Sequence, residues 1–192
     1  NIETTMEVTV SPEDNCEIRL ITLTNRSEHV RVLELTSYME IVLSPPEDDF
    51  SHMAFSKLFV RTEFVREKRA IVANRRSRKE NGSSLWFLHT MAVDGNIIGE
   101  VQYETDRLKF IGRNRNLSEP AAMEPDQPLS NSAGAVLDPV ASLRCRIRLE
   151  PGETRKLSFV AAVAETRKNA LELAEKYGQL QASERVFDLA WI

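Results

Sequence analysis

With 192 residues, 42% of them apolar and 28% charged, the chain is long enough for one sizeable core and has the make-up of an ordinary globular domain. No apolar run approaches the ~20 residues that a membrane-spanning helix requires, and a formal charge of −4 argues against a dedicated nucleic-acid binder. Cys16 and Cys145 form neither a CxxC pair nor a zinc set and read as two reduced, buried thiols of a cytoplasmic protein.

The chain is already in a strand pattern within a few residues of Asn1, with apolar side chains at every second position from Met6 through Val8 to Val10. A turn at 11–14 leads to a strand over 17–24, and the turn Asn25-Arg26-Ser27 leads to a long run over 30–43. In that run Leu33, Leu35, Met39, Ile41 and Leu43 share one face, while Tyr38 and Val42 on the other predict cover on both sides. Strands follow near 58–65, 70–75 and 85–92, the last two joined by a tight turn at Asn81-Gly82.

Residues 112–139 lose the pattern; they hold four of the eight prolines and no aromatic residue, and they predict a long loop of the kind that covers a site. Leu143, Cys145, Ile147 and Leu149 then alternate with Arg144, Arg146 and Arg148, and Pro151-Gly152 predicts a hairpin into Leu157, Phe159, Ala161 and Val163. The period turns helical after Ala164: Thr166 is the expected N-cap, Ala170, Leu171, Leu173, Ala174 and Tyr177 the apolar stripe, and Gly178 the stop. A second helix is expected from Arg185 to Ile192. Many strands without βαβ alternation predict a mainly β fold, a large antiparallel sandwich over 1–165 with helices over 166–192. The amphipathic run at Trp191-Ile192 has no capping signal, so both ends read as cuts within a longer polypeptide.

Catalytic signatures are absent. There is no GxSxG elbow, no cysteine served by a histidine and no phosphate-binding glycine loop. His29, His52 and His89 are isolated and read as structural, so no metal or cofactor is expected. Glu104 and Asp106 would share a face of an extended segment, but beside Arg107 they read as an ion-pair network rather than as a glycosidase pair. Glu47, Asp48 and Asp49 read as solvated surface, and the sequons at Asn25, Asn81 and Asn116 as chance matches. Nine Lys or Arg lie between Lys57 and Lys79 against only Glu63 and Glu67, a pattern typical of a solvated strand surface. A more specific stretch runs over 103–115, where Tyr103 and Phe110 alternate with Asp106, Arg107, Arg113 and Arg115 beside the long loop. Aromatic faces interleaved with donors and acceptors are the residue types that hold a polyhydroxylated sugar.

The segments QYETDR at 102–107, FIGR at 110–113, GAVLDP at 134–139 and LEPGE at 149–153, with TNRS at 24–27, ELTSY at 34–38 and HMAFSKLF at 52–59, resemble the β-sandwich module of cyclic β-1,2-glucan synthases. These enzymes fall within glycoside hydrolase family 94, formerly glycosyltransferase family 36. The resemblance covers nearly the whole chain. It implies a supersandwich followed by a helical linker and an (α/α) barrel that carries the catalytic aspartate and the phosphate site beyond Ile192. It also implies a membrane-associated parent at the cytoplasmic face of the inner membrane, in which phosphorolysis controls glucan chain length. The fragment itself is then not an enzyme. Its partners are the downstream barrel, a β-glucan oligosaccharide and, through the sandwich, a second copy. The candidate substrate-binding residues are Tyr103, Asp106, Arg107, Arg113 and Arg115, and no catalytic residue is carried over. A soluble phosphorylase parent and a free-standing carbohydrate-binding module remain as alternatives.

Overall fold

The computed structural model describes residues 1–47, 50, 57–76 and 85–190. In chain order the strands are β1 (Ile2–Val10), β2 (Cys16–Asn25), β3 (Arg31–Thr36), β4 (Met39–Glu40), β5 (Val60–Val65), β6 (Ala70–Arg75), β7 (Trp86–Val93), β8 (Gln102–Asp106), β9 (Pro139–Leu149) and β10 (Thr154–Ala164). The helices that lie wholly within the described residues are α1 (Arg107–Ile111), α2 (Arg167–Tyr177) and α3 (Leu180–Ala190). Six strands form a large sheet in the order β1-β2-β10-β7-β6-β5, and β3, β4 and β8 pair with β9 in a small one. All pairs are antiparallel.

The two sheets stack on a core that includes Leu23, Ile71, Met91, Leu157 and Phe159 from the large sheet and Leu143, Cys145, Ile147 and Leu149 from β9. Strand alternation sends the intervening residues of the large sheet to its other face, where Ile18, Val72, Leu88 and Val160 meet Ala170, Ala174 and Tyr177 of α2 and Val186 of α3. The central strands of the large sheet are thus covered on both sides and are apolar at nearly every position, whereas the edge strand β1 is largely exposed, Met6, Val8 and Val10 included. The Thr166 hydroxyl caps α2 by accepting from Asn169 N at 3.1 Å, a contact worth about 1 kcal/mol. Gly178 is the C-cap of α2, with its N–H on the Ala174 carbonyl oxygen; its φ is −68°, and a Cβ there would stand 2.9 Å from that oxygen, which favours glycine at this position. The next helix begins at Leu180 rather than at Arg185, because Leu180, Ser183 and Val186 already form its buried face.

The expected hairpin at Pro151-Gly152 is instead a crossing between sheets. β9 belongs to the small sheet and β10 to the large one, so Leu149 and Leu157 face each other through the core rather than pairing edge to edge. Apolar alternation is the same for strands that stack and strands that pair, so the sequence pattern did not distinguish them. The chain also changes sheets between β2 and β3, and the buried Asn25 joins both crossings. Its Nδ2 lies 2.8, 3.1 and 3.1 Å from the carbonyl oxygens of His29, Leu149 and Glu150, and its Oδ1 accepts from Ser27 N and Oγ. The sequon there is therefore a structural corner. The Asn81-Gly82 turn, His52, and the acidic pair Asp48 and Asp49 lie outside the described residues, although β6 and β7 are antiparallel neighbours as expected.

The run over 30–43 breaks at Ser37 and Tyr38, so β3 and β4 lie end to end along β9. Ser37 keeps the break tied down: its N–H donates to Leu143 O at 2.9 Å and its hydroxyl accepts from Leu143 N at 3.0 Å. That hydroxyl also lies 2.7 Å from Nε2 of the fully buried His89, whose Nδ1 is 3.1 Å from Val160 O. A carbonyl can only accept, so Nδ1 carries a proton, and in the neutral ring that burial favours Nε2 accepts from the serine hydroxyl. Burial depresses its pKa to about 4, partly offset by the Val160 hydrogen bond. In the unfolded chain the ring protonates near 6.5, so the unfolded state binds the extra proton between about pH 6.5 and pH 4.

Two outcomes are expected. Asn25→Ala lowers unfolding stability by about 2–3 kcal/mol, since it strands buried carbonyls at both crossings; urea denaturation would show a lower midpoint at unchanged slope. Stability of the wild-type domain falls as pH drops from about 6.5 to about 4, and His89→Gln flattens that part of the profile in pH-dependent denaturation.

Candidate functional site

The segment 102–115 lies on the small sheet, where β8 pairs with β9 and runs directly into α1. Five residues make a helix too short to stand alone. It is held by Asp106, whose carboxylate accepts from Leu108 N at 2.9 Å, and by Phe110 and Ile111. These two side chains form a satellite core with Ala122 and Leu129 of the following loop. Tyr38 packs on Phe110 with ring centroids 4.7 Å apart, so the cover expected over the second face of the 30–43 run is this loop.

Residues 112–139 are irregular as predicted, with one 3-10 turn at Ala121–Met123, and they are anchored at several points. Gly112 has φ +89°, and a Cβ on it would meet Ala121 Cβ at 2.9 Å, so the loop folds back tightly on the end of α1. Three side chains on one face of the small sheet hold the loop backbone in sequence order. Arg144, 4% exposed, donates to the carbonyls of Ala122 and of Gln127, the latter at 2.7 Å, and to Thr36 Oγ1 at 2.7 Å. Gln102 Oε1 accepts from Leu129 N at 3.0 Å. Glu104, 1% exposed, accepts from Ser130 Oγ at 2.5 Å, Ser132 Oγ at 2.6 Å, and the amides of Thr105 and Asp106 at 3.0 Å each.

The candidate residues therefore separate. Tyr103 points the other way from Glu104 and stacks on Phe64 at 3.9 Å beside the main core, away from the loop surface. Asp106 caps α1. Arg107 bonds Glu40 at 3.0 Å and lies 3.7 Å from Asp138, which also takes buried Lys57 at 2.7 Å. The expected network of Arg107 with Glu104 and Asp106 is thus corrected: Glu104 is enclosed by hydroxyls and amides, and Asp106 is occupied by the helix start. Burial alone would raise the Glu40 carboxyl, but hydrogen bonds from Arg107 and Tyr38 outweigh it and hold the group below the usual carboxylate range. The Tyr38 phenol is pushed up to about 12 by burial and by the Glu40 charge. Arg115 pairs with Glu124. Arg113 is exposed and has no side-chain partner among the described residues, as does Lys109.

Arg144 was missed by sequence reasoning because it alternates with Arg146 and Arg148, which are exposed and paired to Glu34 and Glu150; no local signal marks it as the buried member. In the described part of the basic 57–79 span, Arg66 pairs with Glu100 and Lys68 with Glu175, while Lys57 is buried against Asp138. No three His, Cys, Asp or Glu side chains among the described residues could hold a metal, and no described helix is long and apolar enough to cross a membrane.

Fold and site together define an antiparallel two-sheet supersandwich that presents an anchored loop, with an exposed arginine at its start, from its smaller sheet. Residues 1–180 match the family model of the glycosyl hydrolase 94 supersandwich domain, and the chain belongs to that family. It is 32% identical over 186 residues to the cyclic beta-(1,2)-glucan synthase NdvB of Rhizobium meliloti (strain 1021), covering 97% of this chain and 7% of that protein. It is 27% identical over 169 residues to the solabiose phosphorylase of Paenibacillus borealis, covering 88% of this chain and 21% of that protein. The chain thus spans a small part of each of these relatives. A solved polysaccharide lyase overlays with a TM-score of 0.46 at 16% identity, over 87% of this chain and 20% of that one.

The ion pairs separate the two arginines experimentally. Arg107→Ala should lower stability by up to about 1 kcal/mol, the scale of a partly exposed pair, whereas Arg113→Ala should leave the melting temperature unchanged in parallel calorimetric scans.

Proposed function

We propose that the domain is a non-catalytic module of a carbohydrate-active enzyme of the cyclic β-1,2-glucan synthase kind, in which phosphorolysis controls glucan chain length. In this reading the sandwich of residues 1–165 packs on an (α/α) barrel formed elsewhere in the polypeptide. Residues 166–192 lead towards that barrel, residues 106–115 reach its sugar cleft, and the parent works at the cytoplasmic face of the inner membrane. The observation that carries the reading is Arg113, an exposed guanidinium with no side-chain partner among the described residues, at the start of a loop that buried groups hold in one shape. A planar donor fork so placed suits hydroxyl or phosphate oxygens.

The similarity to solabiose phosphorylase favours a second parent, a soluble phosphorylase acting on a disaccharide or β-1,2-oligoglucan. A free-standing carbohydrate-binding module is disfavoured, because Tyr103 is turned to the core and residues 112–139 contain no aromatic side chain to form a stacking platform.

In the full-length protein, Arg113→Ala should reduce kcat/KM for β-1,2-gluco-oligosaccharide phosphorolysis by about 10–100-fold, the scale of a lost charge-assisted hydrogen bond. The fold would be unaffected. Unchanged kinetics would exclude this loop from the sugar cleft.

A further inference from the structure

The two buried charges of the small sheet are the least economical feature of this domain. Removing an ion from water costs more than its contacts readily return, and an apolar residue of similar volume is often the more stable choice. Glu104 and Arg144 have opposite charges and project from the same face of adjacent strands, with Gln102 opposite Arg144 and Glu104 opposite Ser142 in the register. No hydrogen bond or ion pair joins them among the described residues. Both reach the loop: Arg144, which also lies 3.8 Å from Glu34 and bonds Thr36 on β3, holds the carbonyls of Ala122 and Gln127, and Glu104 holds Ser130 and Ser132. Gln102, between them, takes the amide of Leu129.

We infer that Glu104 and Arg144 are positioning residues, two buried charges that fix the conformation of the loop and through it the placement of Arg113. Apolar contacts alone would cover the sheet without choosing among loop conformations, because burial is non-directional. Hydrogen bonds to successive backbone groups choose one. The path to Arg113 is short. Arg144 holds Ala122; Ala121, next in the chain, closes against Gly112, which precedes Arg113. Arg115 ties the same limb to Glu124. Thr62 closes the far end, its N–H donating to Gly134 O at 2.9 Å and its hydroxyl accepting from Gly134 N at 3.0 Å.

The local part of this inference stands on geometry alone; its consequence for catalysis rests on the sugar-facing reading above. Both are tested in the full-length protein with Glu104→Gln, which keeps the size and puts an amide donor in place of one of the two oxygens to which Ser130 and Ser132 donate. Ser130→Ala/Ser132→Ala serves as a second variant that leaves the sheet untouched. Amide hydrogen exchange, read by mass spectrometry, should quicken at least about tenfold over residues 120–134 while β2, β7 and β10 keep their protection. The KM for β-1,2-gluco-oligosaccharide should rise about tenfold with kcat within about twofold, a split that a general loss of stability would not produce. Unchanged exchange in both variants overturns the positioning role whatever the kinetics. Faster exchange with unchanged KM, in a protein where Arg113→Ala is impaired, overturns the link to Arg113. Faster exchange with Arg113→Ala also unimpaired sinks the sugar-facing reading and leaves the anchoring of the loop established.

Discussion

The sandwich depends on one corner. The chain passes between sheets four times among the described strands, and the passages after β2 and after β9 meet at Asn25, which is buried and bonds the backbone of each. The backbone closes the same corner, with Asn25 N donating to Glu153 O at 2.9 Å and Gly152 N donating to Asn25 O at 2.8 Å. A primary amide can donate and accept at once, and a buried site with several orphaned carbonyls and a turn requires both. Aspartate at this position would set a carboxylate against three carbonyl oxygens.

From that corner the layers follow. β10 is placed in the middle of the large sheet between β2 and β7, its Leu157 and Phe159 facing β9 and its Val160 and Ala162 facing α2. The small sheet, covered on its inner side by this core, keeps an outer face for polar residues. There the loop is laid down, and the outer face of β8 and β9 becomes the seat of the candidate site rather than a plain solvated surface.

Much of this was legible in the sequence. Period-two alternation located most of the strands, and the change of period after Ala164 located α2, whereas α3 starts five residues before its expected beginning and α1 carries no periodic signal. Sheet membership was not legible, because Leu143 to Leu149 and Leu157 to Val163 carry the same alternation whether they pair or stack. For the site, the cluster at 103–115 was found by residue type, but direction decided the outcome: strand parity sends Tyr103 inward and Gln102 and Glu104 outward, while Asp106, beyond a break in the register, caps α1. The family motif QYETDR is accordingly used almost wholly on internal partners. Arg144 illustrates the remaining gap, since its burial follows from a loop that folds over it and that carries no periodic signal of its own.

The placement of β10 also bears on how the domain comes into being. Without it the large sheet is two separate pieces, β1-β2 and β7-β6-β5. During synthesis at roughly 5–20 residues per second, the 129 positions between Asn25 and Thr154 take on the order of ten seconds or more to emerge. Until then β2 has an open edge on the side β10 will occupy, and the apolar faces of the early strands lack their cover. Pairing across so long a separation is intrinsically slow. The nascent chain is therefore most exposed to mispairing with its neighbours in the interval before its tenth strand arrives, and a chaperone that shields β2 would act on that interval.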